Sequence, residues 1–414
     1  RTLPERSGLT GTERTYRNGA DLPERGDALK FFYECSECGR TFDIRPELMV
    51  CPDCSSKQQP DEPLRGVLEV GLEGNIAVDF DIFDLLPVEK KFFPPIPVGN
   101  TPLWTPINLR RRTGFENLFI KDDSLNPTGS LKDRASYLVA AFAVREEISD
   151  VVVASTGNAA SSMAGIGAAA ALRIKIFIPA SAPQAKRVQS LQYGARVVLV
   201  DGNYDMAYEQ SMAYTREHGG LSRNTAYNPL TIEGKKTAAL EIYKQLDRAP
   251  DYVFIPTGDG VILGGVYKGF RDLLNAGLIG EMPVLIAVQA AGSCAIQTSF
   301  RQGGFDPAYR SQTVADSIAV DIPKNGYYAL KYLRMYKGQC SVVEDEEILG
   351  AQKLLASTTG LFAEPAASAA LAGFIKLKDS IRKDSTVVLL VTGSGLKDVQ
   401  AAMKAVVDED GEPG

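Results

Sequence analysis

The chain of 414 residues has a single histidine, His218. It lies in Arg216-Glu217-His218-Gly219-Gly220, which reads as the C-terminal end of a helix carrying a solvated ring. Serine–histidine and cysteine–histidine catalysis, and metal centres built from several histidines, are therefore not expected. A basic excess is also missing. The 45 Lys and Arg against 51 Asp and Glu leave a formal net charge of −6, so no nucleic-acid footprint is present. No apolar run reaches the length of a membrane span, and no signal-peptide pattern opens the sequence. The expectation is a cytoplasmic protein with neither membrane nor nucleic-acid partner. Its chemistry must come from lysine, carboxylates, hydroxyls or a cofactor.

Residues 1–30 are polar and rich in Arg, Glu and Gly, and an irregular arm is expected there. Residues 31–60 hold Cys35 and Cys38, then twelve residues, then Cys51 and Cys54. Two C-x2-C knuckles place four thiolates around a tetrahedral ion, and the insert is long enough for a short hairpin. Two disulfides are the competing reading, but nothing suggests secretion. A four-sulfur site has no open position, so a zinc ion there would be structural. Cys294 and Cys340 stand alone and read as packing residues. Residues 61–106 read as a connecting segment that prolines such as Pro94, Pro95 and Pro97 keep from regular structure.

Beyond it, short β-rich runs alternate with helical stretches. Strands are predicted at Leu118–Lys121, Val151–Ala154, Lys175–Ile178, Val197–Val200, Tyr252–Pro256, Val284–Gln289 and Thr386–Val391. Helices are predicted at Ala159–Leu172, Ile232–Leu246 and Val261–Ala276. This alternation implies an α/β fold with parallel-rich sheets flanked by helices, and ligands beyond the carboxyl ends of the strands.

Four loops stand at such ends. In Asn126-Pro127-Thr128-Gly129-Ser130-Leu131-Lys132-Asp133-Arg134, Ser130 reads as an N-cap and Asp133 as its capping-box partner. Lys132 then falls in a first helical turn, where the dipole disfavours a cation and lowers its pKa. An ordinary surface lysine is the alternative. Ser155-Thr156-Gly157-Asn158 offers hydroxyls, an amide and backbone N–H groups suited to a carboxylate or phosphate, or simply caps a helix. Thr257-Gly258-Asp259-Gly260 is a glycine-rich turn that reads as a phosphate cradle, without the Gly-Lys-Ser/Thr ending of a P-loop. Thr392-Gly393-Ser394-Gly395 presents hydroxyls or is an ordinary turn. A lysine Schiff base to pyridoxal phosphate meets this inventory.

These stretches resemble the tryptophan-synthase-β-like, fold type II pyridoxal-phosphate enzymes, and within them the threonine synthase family. The resemblance extends to Gly99-Asn100-Thr101-Pro102-Leu103, Asn228-Pro229 with Ile232–Thr237, and Phe362-Ala363-Glu364-Pro365. It implies a two-lobed catalytic region over 107–414, with a smaller lobe inserted at about 145–225, behind an N-terminal zinc ribbon. It implies that Lys132 binds the cofactor's aldehyde and shuttles protons, and that Asn158 bonds its 3-hydroxyl. Backbone N–H groups of Gly258, Asp259, Gly260, Val261 and Ile262 would hold the phosphate, and Thr392 would meet the ring nitrogen. Ser155, Thr156 and Asn158 would face the carboxylate of a small amino-acid substrate. The implied reaction takes O-phosphohomoserine and water to threonine and phosphate. A homodimer is expected by analogy with the fold.

Three departures concern the substrate. Ala159 stands where the family usually has threonine, Thr231 where it has an arginine for the substrate phosphate, and Asp259 where it has asparagine. Losing a cation and gaining a carboxylate oppose a phosphorylated substrate, although Lys186, Arg187 or Arg223 could substitute. Two alternatives follow. One is a paralogue performing elimination or replacement on a non-phosphorylated amino acid. The other is a catalytically inactive regulatory homologue.

Overall fold

The computed structural model describes residues 29–181, 184–306 and 309–403, with backbone alone for 184–186. The expected arm over 1–30 lies almost wholly outside the described residues. The first unit is a three-stranded antiparallel sheet of order β2-β1-β3, from β1 (Lys30–Cys35), β2 (Thr41–Phe42) and β3 (Leu68–Glu73). Cys35 closes β1, and Cys51 and Cys54 bracket the start of the one-turn helix α1 (Pro52–Ser55). Strand β3 corrects the reading of 61–106 as lacking regular structure. Its six residues pair with the whole of β1, from Lys30 opposite Glu73 to Cys35 opposite Leu68. The prolines that argued against a strand cluster later, at 94, 95 and 97, and leave 68–73 free to donate. Gly71 has no Cβ where the Phe32 ring crosses, and a Cβ there would sit 2.2 Å from the ring.

A six-stranded sheet of order β12-β11-β10-β13-β5-β4 forms the main body. Its strands are β4 (Leu103–Trp104), β5 (Leu118–Asp122), β10 (Tyr252–Pro256), β11 (Val284–Ala290), β12 (Gln339–Val343) and β13 (Val387–Val391). All its pairings are parallel except β4 with β5. A four-stranded parallel sheet, β8-β7-β6-β9, comes from β6 (Asp150–Ala154), β7 (Arg173–Pro179), β8 (Arg196–Val200) and β9 (Leu221–Ser222).

Strand alternation places two apolar faces on each sheet. Val253, Ile255, Leu285, Ala287, Val388 and Leu390 pack against α7 (Leu230–Leu246), α8 (Val261–Asn275) and α10 (Gly326–Met335). The interleaved Phe254, Ile286, Val288, Leu389 and Val391 pack against α11 (Asp345–Thr359) and α12 (Pro365–Leu377). In the small sheet, Val151, Val153, Ile174 and Ile176 meet α3 (Lys132–Arg145) and α4 (Asn158–Ala169). Val152, Ala154, Phe177 and Val200 meet Ala207 of α6 (Tyr204–His218). Remaining helices are α2 (Ile107–Thr113), α5 (Gln184–Gln192), α9 (Ala295–Gln302) and α13 (Val399–Met403). His218 ends α6, half-exposed and stacked 4.3 Å from Tyr214, as the sequence implied. Among the described residues no helix is long and apolar enough to cross a membrane.

Two buried polar networks fasten these layers. Glu241 of α7 accepts from the N–H groups of Asn100 (2.7 Å) and Thr101 (3.2 Å), from Lys121 Nζ (2.5 Å) and from both terminal nitrogens of Arg134 (2.6 and 2.8 Å). Arg134 also donates to Asp123 (2.6 and 2.8 Å). The network thus clamps Gly99–Thr101, β5 and the first turn of α3 onto α7. The second network holds the cysteine unit to the body. Glu69 of β3 accepts from Arg271 Nη2 (2.6 Å), Tyr328 Oη (2.7 Å) and Tyr332 Oη (2.8 Å).

Candidate active site

The loop before α3 docks on the carboxyl end of β13. Leu131 N donates to Thr392 O (2.9 Å) and Ser394 N to Gly129 O (3.0 Å), while Ser130 and Gly393 form a bridge. Gly129 takes φ +84°, the left-handed conformation that glycine tolerates. Ser130 is not the N-cap: that position is Leu131, without a side-chain cap, and the Ser130 hydroxyl is buried without a partner. The carboxylate works in the reverse sense. Asp133 accepts from Thr128 N (2.7 Å) and from the Thr128 hydroxyl, holding the loop back on the helix. Lys132 is the first helical residue, half-buried. Burial lowers its pKa, with Arg223 acting in the same direction and Asp259 and Glu364 opposing. The low pKa read from the helix dipole is therefore present, with desolvation as its main cause.

Helix α4 begins at Asn158 behind Gly157, which provides no side-chain cap. The Ser155 hydroxyl accepts from Gly157 N (3.2 Å), and Thr156 is half-buried beside it. Asn158 is buried and its Nδ2 donates to both oxygens of Glu364 (3.1 and 3.0 Å) and to Ser317 Oγ (3.3 Å). Glu364, at the head of α12, is tied to the loop after β13 through its N–H to Gly393 O (3.0 Å). A Cβ on Gly393 would lie 2.5 Å from the Glu364 carboxylate, so glycine is needed there. Burial raises the Glu364 pKa, against Asn158, Lys397 and Lys132.

The third loop follows β10. Gly260 takes φ +88° and starts α8 without a cap of its own. Buried Asn325 donates from N to Asp259 O (3.0 Å) and from Nδ2 to Gly260 O (3.2 Å). The Asp259 and Gly260 carbonyls are thus occupied. The N–H groups of Gly258, Asp259, Gly260 and Ile262 have no protein acceptor among the described residues. Val261 N is taken by Asp259 Oδ1 (3.0 Å). Open N–H groups at a helix start suit an oxyanion. With a desolvated lysine opposite and buried Thr392 at the next strand end, the residues present fit pyridoxal phosphate.

The sequence-predicted residues Lys132 and Asp259 lie within electrostatic reach of each other. Ala159 is buried in α4 behind Asn158. Thr231 is fully buried, its hydroxyl bonded to Asn228 O (2.8 Å) at the start of α7. Sequence reasoning gave no role to Glu364, although its Phe-Ala-Glu-Pro setting was a signal. It also passed over Lys235, inside Ile232–Thr237, which is fully buried with no partner for Nζ among the described residues. Near the N-terminus, Cys35, Cys38, Cys51 and Cys54 bring their sulfur atoms within 4.8 Å of one another, forming a candidate metal site.

Residues 96–393 match the family described as pyridoxal-phosphate dependent enzyme. The chain is 33% identical over 403 residues to a threonine synthase of Methanosarcina acetivorans, covering 92% of this chain and 95% of that one. It is also 33% identical over 382 residues to a threonine synthase of Methanocaldococcus jannaschii, covering 90% and 94%. Among solved structures, the processed form of threonine deaminase isoform 2 from Solanum lycopersicum superposes with a TM-score of 0.67 at 24% identity. That match covers 80% of this chain and 95% of the other, and speaks for the fold.

Proposed function

The chain belongs to the fold type II pyridoxal-phosphate-dependent enzymes, in the threonine synthase family, and from that premise we propose that it converts O-phosphohomoserine and water to threonine and phosphate. The observation that carries this reading is the desolvated Lys132 amine within electrostatic reach of a glycine loop, four of whose N–H groups lack acceptors among the described residues.

Bound pyridoxal phosphate supplies an electron sink for breaking bonds at the α- and β-carbons of an amino acid. Lys132 would hold its aldehyde carbon, the N–H groups of Gly258, Asp259, Gly260 and Ile262 its phosphate, Thr392 its ring nitrogen and Asn158 its ring hydroxyl. Glu364 holds the Asn158 amide in place by accepting from its Nδ2. A Lys132 amine with a lowered pKa is unprotonated more of the time at neutral pH and is suited to take a proton at Nζ from the substrate's α-carbon. Ser155, Thr156 and the uncapped start of α4 would orient the substrate carboxylate. Phosphate release together with threonine formation by the purified protein tests the proposal. Turnover of other amino acids without phosphate release from O-phosphohomoserine overturns it.

Thr231 and Asp259 favour a second reading, elimination or replacement on a non-phosphorylated amino acid. The Thr231 hydroxyl is committed to Asn228, and Asp259 adds a negative charge beside Lys132. An inactive regulatory homologue is opposed by the retention of Lys132. The proposal also includes a structural zinc at the four cysteines, since a tetrahedral ion with bonds of about 2.3 Å sets sulfurs roughly 3.8 Å apart. Cys38 and Cys51 Sγ stand 3.9 Å apart. A homodimer in the cytoplasm completes it.

A further inference from the structure

Two fully buried basic side chains in the site, Arg223 and Lys235, each have a nitrogen without a hydrogen-bond partner among the described residues. Arg223 follows β9, where its N–H extends the small sheet through Val152 O (2.8 Å). Its guanidinium crosses to α3, giving Nε to Ser136 Oγ (3.2 Å), one turn after Lys132, and Nη1 to Thr225 Oγ1 (2.7 Å). Nη2 has no partner. Lys235, in the second turn of α7, passes against Gly265 of α8, and its Nζ has no partner either. Lys235 lies within electrostatic reach of Arg223, Lys132 and Asp259. The one carboxylate among these, Asp259, is already bonded to Val261 N. Buried charges persist in folded proteins when they are paired. Neither Arg223 Nη2 nor Lys235 Nζ is paired among the described residues, although both side chains lie within electrostatic reach of Lys132.

We propose that Arg223 and Lys235 together form a subsite for an oxyanion at the far end of the substrate's side chain, be it phosphate, carboxylate or sulfonate. The substrate is then an amino acid with a second, distal negative group. The subsite takes over the role that Thr231 cannot fill, from the next turn of the same helix and from the small sheet. This inference rests on the pyridoxal-phosphate reading of the site, and it narrows the substrate class independently of whether the substrate is O-phosphohomoserine. Burial and the neighbouring Lys132 hold the Lys235 pKa well below its ordinary value, and Arg223 acts in the same direction against Asp259. An entering anion reverses that balance, so Lys235 should take up a proton as the ligand binds.

The test titrates the holoenzyme, followed by its visible spectrum, with L-homoserine, O-phosphohomoserine, O-phosphoserine and L-glutamate. Wild type, Lys235→Met, Lys235→Arg and Arg223→Gln are compared. The wild type should prefer an amino acid with a distal anion over its neutral counterpart. Each charge-removing variant should lose about ten- to a hundredfold of that preference, with homoserine binding unchanged. Lys235→Arg should restore most of it. Cofactor-free Lys235→Met should melt no lower than the wild type, because a buried amine without a hydrogen-bond partner has been removed; a lower melting point overturns the proposal. A preference for O-phosphoserine or glutamate without one for O-phosphohomoserine supports the subsite and removes the proposed substrate. Equal binding of neutral and anionic amino acids overturns the subsite and leaves the cofactor assignment standing. Loss of bound cofactor in the variants, with the preference intact, assigns the pair to the cofactor's own phosphate and also overturns it.

Discussion

Replacing Glu241 by glutamine removes one charge from the centre of the network that fixes Lys132. The wild-type carboxylate accepts five hydrogen bonds, from Asn100 N, Thr101 N, Lys121 Nζ and two Arg134 nitrogens. Glutamine keeps the shape but turns an amide N–H2 toward some of those donors and leaves Lys121 and Arg134 short of an anion. Breaking a buried pair in this way costs about 3–5 kcal/mol. At roughly 2–4 °C per kcal/mol for a cooperative unit of 150–250 residues, Tm should fall by on the order of 10 °C. Scanning calorimetry at pH 7 measures it. The acid response adds a second check. Burial alone would raise the Glu241 pKa, but Arg134 and Lys121 outweigh it and hold the group down at about 2, from an ordinary 4.5. Its contribution is complete above the ordinary value and lost as pH falls through the folded one. The gap between wild type and Glu241→Gln should therefore narrow between about pH 4.5 and pH 2. A Tm change under about 2 °C at pH 7, or a gap unaltered by acid, would refute the claim that this network is what seats α3.

Three further outcomes are expected. Cys54→Ser should reduce bound zinc, measured by atomic emission, from about one ion per chain to near none while the cofactor's absorbance stays. Arg271→Met should leave Glu69 buried opposite two tyrosine hydroxyls and cost about 3–5 kcal/mol in urea unfolding, with faster hydrogen exchange in β3. Gly393→Ala should push the Glu364 carboxylate away from Asn158, since a Cβ would lie 2.5 Å from it. Overpacking of that kind costs about 1–3 kcal/mol, and the cofactor's absorbance maximum should move with it.

The seven strands expected from apolar, β-branched runs all form, within one or two residues of their predicted ends. Their signal was strong because all but β8 are largely buried on both faces and read as continuous hydrophobic stretches. Strand β12, Gln339-Cys340-Ser341-Val342-Val343, escaped because it lies at the sheet edge and is half polar. Strand β3 escaped because prolines elsewhere in its segment coloured the whole. The loops of the site were legible as compositions, each with a cap, a glycine or a hydroxyl at a strand end. Which donor meets which acceptor was not. The N-cap assigned to Ser130 belongs to Leu131, and Asp133 binds Thr128 rather than completing a capping box. Lys235 was hidden for a different reason. A lysine within Gly234-Lys235-Lys236-Thr237 looks like half of a solvated pair, and only the packing of α7 against α8 buries both. Lys236 finds Glu233 and Asp272, whereas Lys235 finds no partner.

That pair of buried lysines also makes the central claim open to direct measurement. Borohydride reduction of the holoenzyme, followed by peptide mass mapping, locates the amine that carries the cofactor. A pyridoxyl group on Lys132 is the expected result, with Lys132→Ala losing both the adduct and the visible absorbance. An adduct on Lys235, or on no lysine at all, would contradict the account.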